Sequence, residues 1–137
     1  MQTKSVVLVR AATLEDAETI TEFQRRMAFE TEDRICNTEI LLSGIRNSII
    51  NPALGTNTMA YVLEDGKEKL IGFMFTNPET SLLLGGTIIW INSLYVIKDF
   101  RKKGVFNALY DHMLQQAKAD PWVKAIRLYV ETTNETA

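Results

Sequence analysis

The chain has 137 residues, about one domain's length, with 46% hydrophobic and 23% charged residues. A mean hydropathy of -0.05 excludes a disordered chain and suits a soluble fold burying roughly two-thirds of its unfolded surface. A net charge of -2 with a pI near 5.4 argues against a dedicated DNA-binding domain, which needs surplus Lys and Arg for phosphate contacts. Cys36 is the only cysteine, so an internal disulfide and a single-chain cysteine zinc site are both excluded. The longest early apolar run, Val6 to Val9, is too short for a signal-peptide core or a membrane span. A cytoplasmic protein with no membrane partner is expected. With no repeat or linker-like stretch, one domain over residues 1–137 is expected too.

In chain order, Ser5 to Arg10 reads as the first strand. Thr13 has the character of an N-cap, followed by Glu15, Asp16 and Glu18 where a helix dipole favours acids. Ala17, Ile20, Phe23 or Gln24, and Met27 then form an apolar helical stripe. Leu41, Ile45 and Ile49 predict a second helix over about Thr38 to Ile49. Thr58 to Leu63 and Leu70 to Thr76 are β-rich and flank Glu64-Asp65-Gly66-Lys67, a hairpin turn. Asn77-Pro78 is expected to end the second of these strands, and Gly85-Gly86 marks another turn. Thr87 to Ile97 is the longest strand candidate, apolar enough to be central in its sheet. A helix over about Val105 to Lys118 and a strand over Ala125 to Glu131 follow, separated by Asp120-Pro121. The order β-αα-βββ-α-β predicts a mixed α/β fold with one parallel crossover.

The chemistry concentrates between the longest strand and the helix after it. Lys98, Arg101, Lys102 and Lys103 against Asp99 give six residues a net +3 in an acidic chain. They lead into Gly104 and a helix N-terminus, whose unpaired N–H groups and positive dipole end favour phosphate. Taken alone, this reads sooner as a solvated basic turn capping a structural helix than as a phosphate site.

Leu94-x-Val96 followed by Arg101-x-x-Gly104 resembles the acetyl-CoA-binding motif of the GNAT N-acetyltransferases. The element order matches that family from the first strand onward. Leu128-x-Val130-x-x-x-Asn134 resembles the strand that follows. The resemblance implies transfer of an acetyl group from acetyl-CoA, with no metal, to a primary amine of a small molecule or peptide in a ternary complex. The Leu94 N–H would polarise the thioester carbonyl. The backbone of Leu94, Tyr95 and Val96 would hold pantetheine, and Arg101, Lys102, Lys103, Gly104, Val105 and Phe106 the diphosphate. Asn134 would touch the cofactor arm. Three departures stand out: Phe106 replaces a small residue, Trp90 stands where several members carry a basic glutamate, and the family continues past a point equivalent to Ala137. That continuation is a tyrosine-bearing helix and two strands, so a longer protein, or a homodimer supplying the missing elements, is expected.

For the general base, Glu32 and, second to it, Glu30 are the candidates, near the junction of the first two helices. Thr13 to Glu39 carries eight acids and three bases, a balance that suits a cationic acceptor or a solvated helix face. His112 falls beside an apolar stripe and Cys36 reads as a packing residue. Two other classes compete with the enzyme: a non-catalytic CoA-binding or regulatory module, and an interaction domain whose basic loop docks on an anion.

Overall fold

A computed structural model of the chain describes residues 6–128. Its elements are β1 (Leu8–Ala11), α1 (Ala17–Glu32), α2 (Thr38–Ile50), β2 (Thr56–Glu64), β3 (Lys67–Ser81), β4 (Gly86–Val96), α3 (Val105–Ala119) and β5 (Val123–Leu128). The predicted order of elements is the observed one. The strands form a sheet in the order β1-β2-β3-β4-β5. All neighbours are antiparallel except β4 and β5, which the α3 crossover makes parallel.

Each face of the sheet buries its own cluster. Ile20 and Phe23 of α1 and Ile45 of α2 pack on Met59, Phe73 and Tyr95. Val105, Leu109 and Met113 of α3 pack on Val62, Ile71, Met74 and Ile91 opposite. The result is three layers, helices on both faces of one sheet. Thr13 donates its backbone N–H to the Asp16 carboxylate at 2.8 Å, as its capping role predicts. Asp16 also takes two hydrogen bonds from Arg10, at 2.7 and 3.0 Å, which tie β1 to the start of α1.

Asp65 and Gly66 close the β2–β3 hairpin with positive φ at both positions, the geometry Asp-Gly adopts readily. Asn77-Pro78, by contrast, does not end β3, which runs on to Ser81 with Pro78 opposite Ile89. The reason is topological. β2 pairs with β3 only as far as Thr76, so beyond that point β3 has an open side, where a residue lacking an N–H is tolerated.

A register shift between Phe75 and Thr76 leaves Asn92 as an extra residue on β4, between Ile91 opposite Thr76 and Ser93 opposite Phe75. Such a bulge reverses the alternation of faces. Ile91 therefore faces α3, while Ser93 and Tyr95 face α1.

Candidate functional site

The β3–β4 ladder sets which backbone groups of β4 are available. Ile97 donates to the Ile71 carbonyl at 2.9 Å, and antiparallel bonding alternates from there. Tyr95 and Ser93, opposite Phe73 and Phe75, thus bond to β3. The N–H and C=O groups of Leu94 and Val96 point the other way. In the described residues β5 partners β4 from Thr87 to Ile91, so Leu94 and Val96 lie beyond that register.

A cavity of about 690 Å³ opens beside these two residues. Met27, Glu30 and Thr31 of α1 form one wall, and Leu94, Tyr95 and Val96 of β4 the floor. Phe100, Arg101, Lys102 and Gly104 close it from the turn, and Val105, Phe106 and Asn107 from the first turn of α3. Gly104 is the N-cap of α3 in left-handed backbone, with φ 83°, and gives the helix no side-chain cap. The open N–H groups of that first turn therefore meet the cavity, in the arrangement that suits a phosphate.

Arg101 crosses the cavity. Its Nε donates to the Val96 carbonyl at 2.9 Å and its Nη2 to a Glu30 carboxylate oxygen at 2.7 Å. The guanidinium lies 5.4 Å from the centre of the Tyr95 ring. The Tyr95 hydroxyl donates to the other Glu30 oxygen at 3.0 Å. Partial burial pushes the Glu30 carboxyl up, but the bonds from Arg101 and Tyr95 outweigh it and hold it below its ordinary value. Burial, then the Glu30 bond, raises the Tyr95 hydroxyl. The Glu30 bond raises Arg101 against the opposing effect of burial.

Of the residues singled out from the sequence, the cavity collects Leu94, Tyr95, Val96, Arg101, Lys102, Gly104, Val105, Phe106 and Glu30. Lys103 stays outside its lining, with Nζ over the Phe100 ring at 5.5 Å. Asn134 lies outside the described residues. Glu32 is on the last turn of α1, half exposed, with Arg34 4.0 Å away, and does not line the cavity. Glu30 thus lines the cavity, and Glu32, placed first from the sequence, does not. The acid-rich segment is also less free than its charge suggests, because Asp16, Glu22 and Glu30 are committed to Arg10, Arg25 with Arg26, and Arg101. Trp90, at the position where a glutamate was looked for, donates its indole N–H to Glu79 at 3.3 Å.

Sequence reading missed four lining residues. Met27, Thr31, Phe100 and Asn107 line the cavity, and no motif marked them as site residues. Ser93 was passed over inside an apolar strand, although the polar pair Asn92-Ser93 was the available signal for a bulge. Gln24 donates to the Ser93 hydroxyl at 2.8 Å, which the alternative Phe23-or-Gln24 stripe left undecided. Among the described residues no three His, Cys, Asp or Glu side chains are grouped to hold a metal, and no helix is long and apolar enough to cross a membrane.

Residues 15–137 match the acetyltransferase (GNAT) family. No curated protein matches the chain in sequence. Among solved structures, a possible acetyltransferase from Clostridium difficile 630 is 29% identical, with a TM-score of 0.85 over 94% of this chain and 82% of that one. A predicted acetyltransferase with acetyl-CoA from Clostridium acetobutylicum shares the fold at 17% identity, TM-score 0.73, over 95% of this chain and 84% of that one. So does a ribosomal-protein-alanine N-acetyltransferase from Brucella melitensis biovar Abortus 2308, at 19% identity and TM-score 0.68, over 95% and 84%.

Proposed function

The chain belongs to the acetyltransferase (GNAT) family, and on that premise we propose that it moves an acetyl group from acetyl-CoA directly to a primary amine. The observation that carries this reading is the joining, in one cavity, of the Leu94 and Val96 backbone with the uncapped start of α3 at Gly104. Acetyl-CoA supplies the activated thioester, and the protein's part is to bind, orient and stabilise charge. The Leu94 N–H, turned away from β3, is placed to donate to the thioester oxygen as negative charge develops there. The first-turn N–H groups of α3 and the side chain of Arg101 are suited to the diphosphate.

Arg101 has a second consequence. In this structure it holds the Val96 carbonyl and Glu30 together, both of which face the space that pantetheine needs. Diphosphate binding competes for the guanidinium and draws it off both groups. Glu30 then loses a hydrogen-bonded cation beside a newly arrived anion, and its proton affinity rises. A carboxylate that is a weak base while paired becomes a better one once the cofactor is bound. It then takes the ammonium proton through a water. The coupling favours cofactor binding before acceptor turnover.

One observation favours a CoA-binding module without chemistry, namely that Glu30, the carboxylate in the cavity, is already engaged. Release of the CoA thiol, followed across a panel of primary amines, separates the two. Amine-dependent release supports the transferase. Binding of acetyl-CoA without release supports the module.

A further inference from the structure

The hairpin joining β3 to β4 turns through Leu82, Leu83, Leu84 and Gly85, at the end of the sheet far from the cavity. From Gly86 to Leu94, β4 spans about 27 Å at ~3.4 Å per residue, which separates this tip from the proposed reacting centre. β2 leaves β3 at Thr76, and the hairpin continues beyond it, from Asn77 opposite Trp90 to Ser81 opposite Gly86. Leu82 is 93% exposed and Leu83 96%, the barest large apolar side chains among the described residues, and Leu84 is 41% exposed. The turn itself does not need them. The Leu82 carbonyl accepts from the Gly85 N–H at 3.3 Å, and the Ser81 hydroxyl accepts from the Leu84 N–H at 3.2 Å. Backbone and Ser81 hold the shape, and the leucines face out.

Trp122 enlarges the patch. The Thr87 N–H donates to its carbonyl at 2.7 Å, and a Cβ on Gly86 would run into that same carbonyl. Glycine there lets the chain entering β5 close against the tip, and Trp122 is 66% exposed. Thr80 to Thr87 contains no ionisable residue. On the adjoining chain, Lys118, Lys124 and Arg127 outnumber Glu79 and Asp120, although the protein as a whole is acidic. Both acids are engaged: Glu79 accepts from the Trp90 indole at 3.3 Å and Asp120 from the Trp122 N–H at 2.9 Å. The Lys124 stem lies against Gly86. Its Nζ donates once, to the Pro121 carbonyl at 3.1 Å, and keeps further donors for an anion.

Three leucines and a tryptophan so exposed present roughly 500 Å² of apolar surface, a size that marks an interaction site. A second copy fits it poorly, because a standard interface takes about 800 Å² from each partner and two convex tips meet over less. A bilayer needs no matching groove. Its apolar interior takes leucine, its headgroup level favours tryptophan, and its phosphates favour a nearby cation. We propose that this tip docks the protein on a lipid surface, with Leu82, Leu83 and Leu84 at the boundary of headgroups and acyl chains, Trp122 at headgroup level and Lys124 toward the phosphates. The contact is peripheral, since the apolar run is far too short to span. It departs from the expectation of no membrane partner, which rested on the lack of a spanning segment. It is independent of the acetyl-transfer reading, and it leaves the cavity facing water.

The test is flotation of the full chain with vesicles of phosphatidylcholine alone, or of phosphatidylcholine with phosphatidylserine, repeated with lipids brominated on their acyl chains. The parent should float with both, at least threefold more on the phosphatidylserine vesicles, and brominated lipid should quench its tryptophan fluorescence. Leu82→Ser/Leu83→Ser should lose at least tenfold in vesicle binding, with melting temperature and acetyl-CoA affinity unchanged, because both side chains lie outside the core. Trp122→Phe should still float but lose the quenching, which separates Trp122 from Trp90. Equal flotation of the double variant and the parent overturns the tip's role, and quenching that survives Trp122→Phe overturns the placement of Trp122. Equal binding to the two vesicle types overturns the part given to Lys124. A parent that floats with neither overturns the proposal. So does a dimer in sedimentation velocity that the double variant dissociates while no vesicle is bound, which would assign the tip to a second copy.

Discussion

Gly104 offers a comparison in which geometry and charge separate. Its backbone is left-handed, at φ 83°, a region that costs most residues about 1–2 kcal/mol and that Asn and Asp tolerate best. No atom lies within 4 Å of where its Cβ would be, so neither Gly104→Asn nor Gly104→Asp meets a steric barrier. The two variants have nearly the same shape and strain and differ by one negative charge. A unit pair at 4 Å is worth about 1 kcal/mol in water and about 4 at an effective dielectric of 20. The exposed position of Gly104 selects the lower half of that range against a diphosphate. Gly104→Asp should therefore bind acetyl-CoA more weakly than Gly104→Asn by about 1–2.5 kcal/mol, roughly 5- to 70-fold. Calorimetry at low and high salt provides the check, and the gap should narrow as salt screens the charge. Equal affinities for the two variants would refute the placement of the diphosphate at the start of α3.

Three further outcomes follow from the ion pairs. Glu30→Gln removes a half-exposed pair worth about 0.2–1 kcal/mol, so stability should hardly change and acetyl-CoA should bind up to about fivefold more tightly by calorimetry. The same variant should lose about 10²-fold in kcat/KM for the acceptor, with the acid limb of its pH–rate profile flattened. Glu32→Gln, off the cavity, should keep the parent's kinetics in that assay, and a matching loss there would restore Glu32 as the base. Asp16 is almost fully buried. Burial pushes its carboxyl up, but the bonds from Arg10 and Thr13 win and hold it below the ordinary value. A lowered carboxyl stabilises the fold above its unfolded value near 3.9 and stops doing so as pH falls through the folded one. Asp16→Asn should cost about 1.5–3 kcal/mol at pH 7, and urea midpoints should show that cost shrinking below about pH 4.

What could be read from residues alone was whatever depends on near neighbours. The Asp65-Gly66 turn, the cap at Thr13 and the stripes of the three helices are local signals, and each lies where it was expected. The loop from Lys98 into Gly104 carries its charge and its glycine on one stretch of chain, which is why a site was looked for there; Arg101, Lys102 and Gly104 line the cavity. Pro78 misled because its effect depends on whether a strand stands on its N–H side, which is a property of sheet order. The bulge at Asn92 was hidden for the same reason, since register is decided between strands. The positions of Glu30 and Glu32 show the limit most clearly, since Glu30 lines the cavity and Glu32 does not. Both sit on α1, about 200° apart around its axis at ~100° per residue. Which one faces the cavity depends on Arg101, 71 residues away along the chain from Glu30.

The central claim, acetyl transfer to an amine at the Leu94 end of the cavity, is tested most directly by counting products. Acetyl-CoA labelled in its acetyl group is incubated with the full chain and a panel of primary amines, and free CoA and labelled N-acetyl product are quantified together by mass spectrometry. The account predicts equal amounts of the two, formed only when amine and protein are both present. Tight acetyl-CoA binding with no labelled amide above the protein-free rate, for every primary amine supplied, would contradict it.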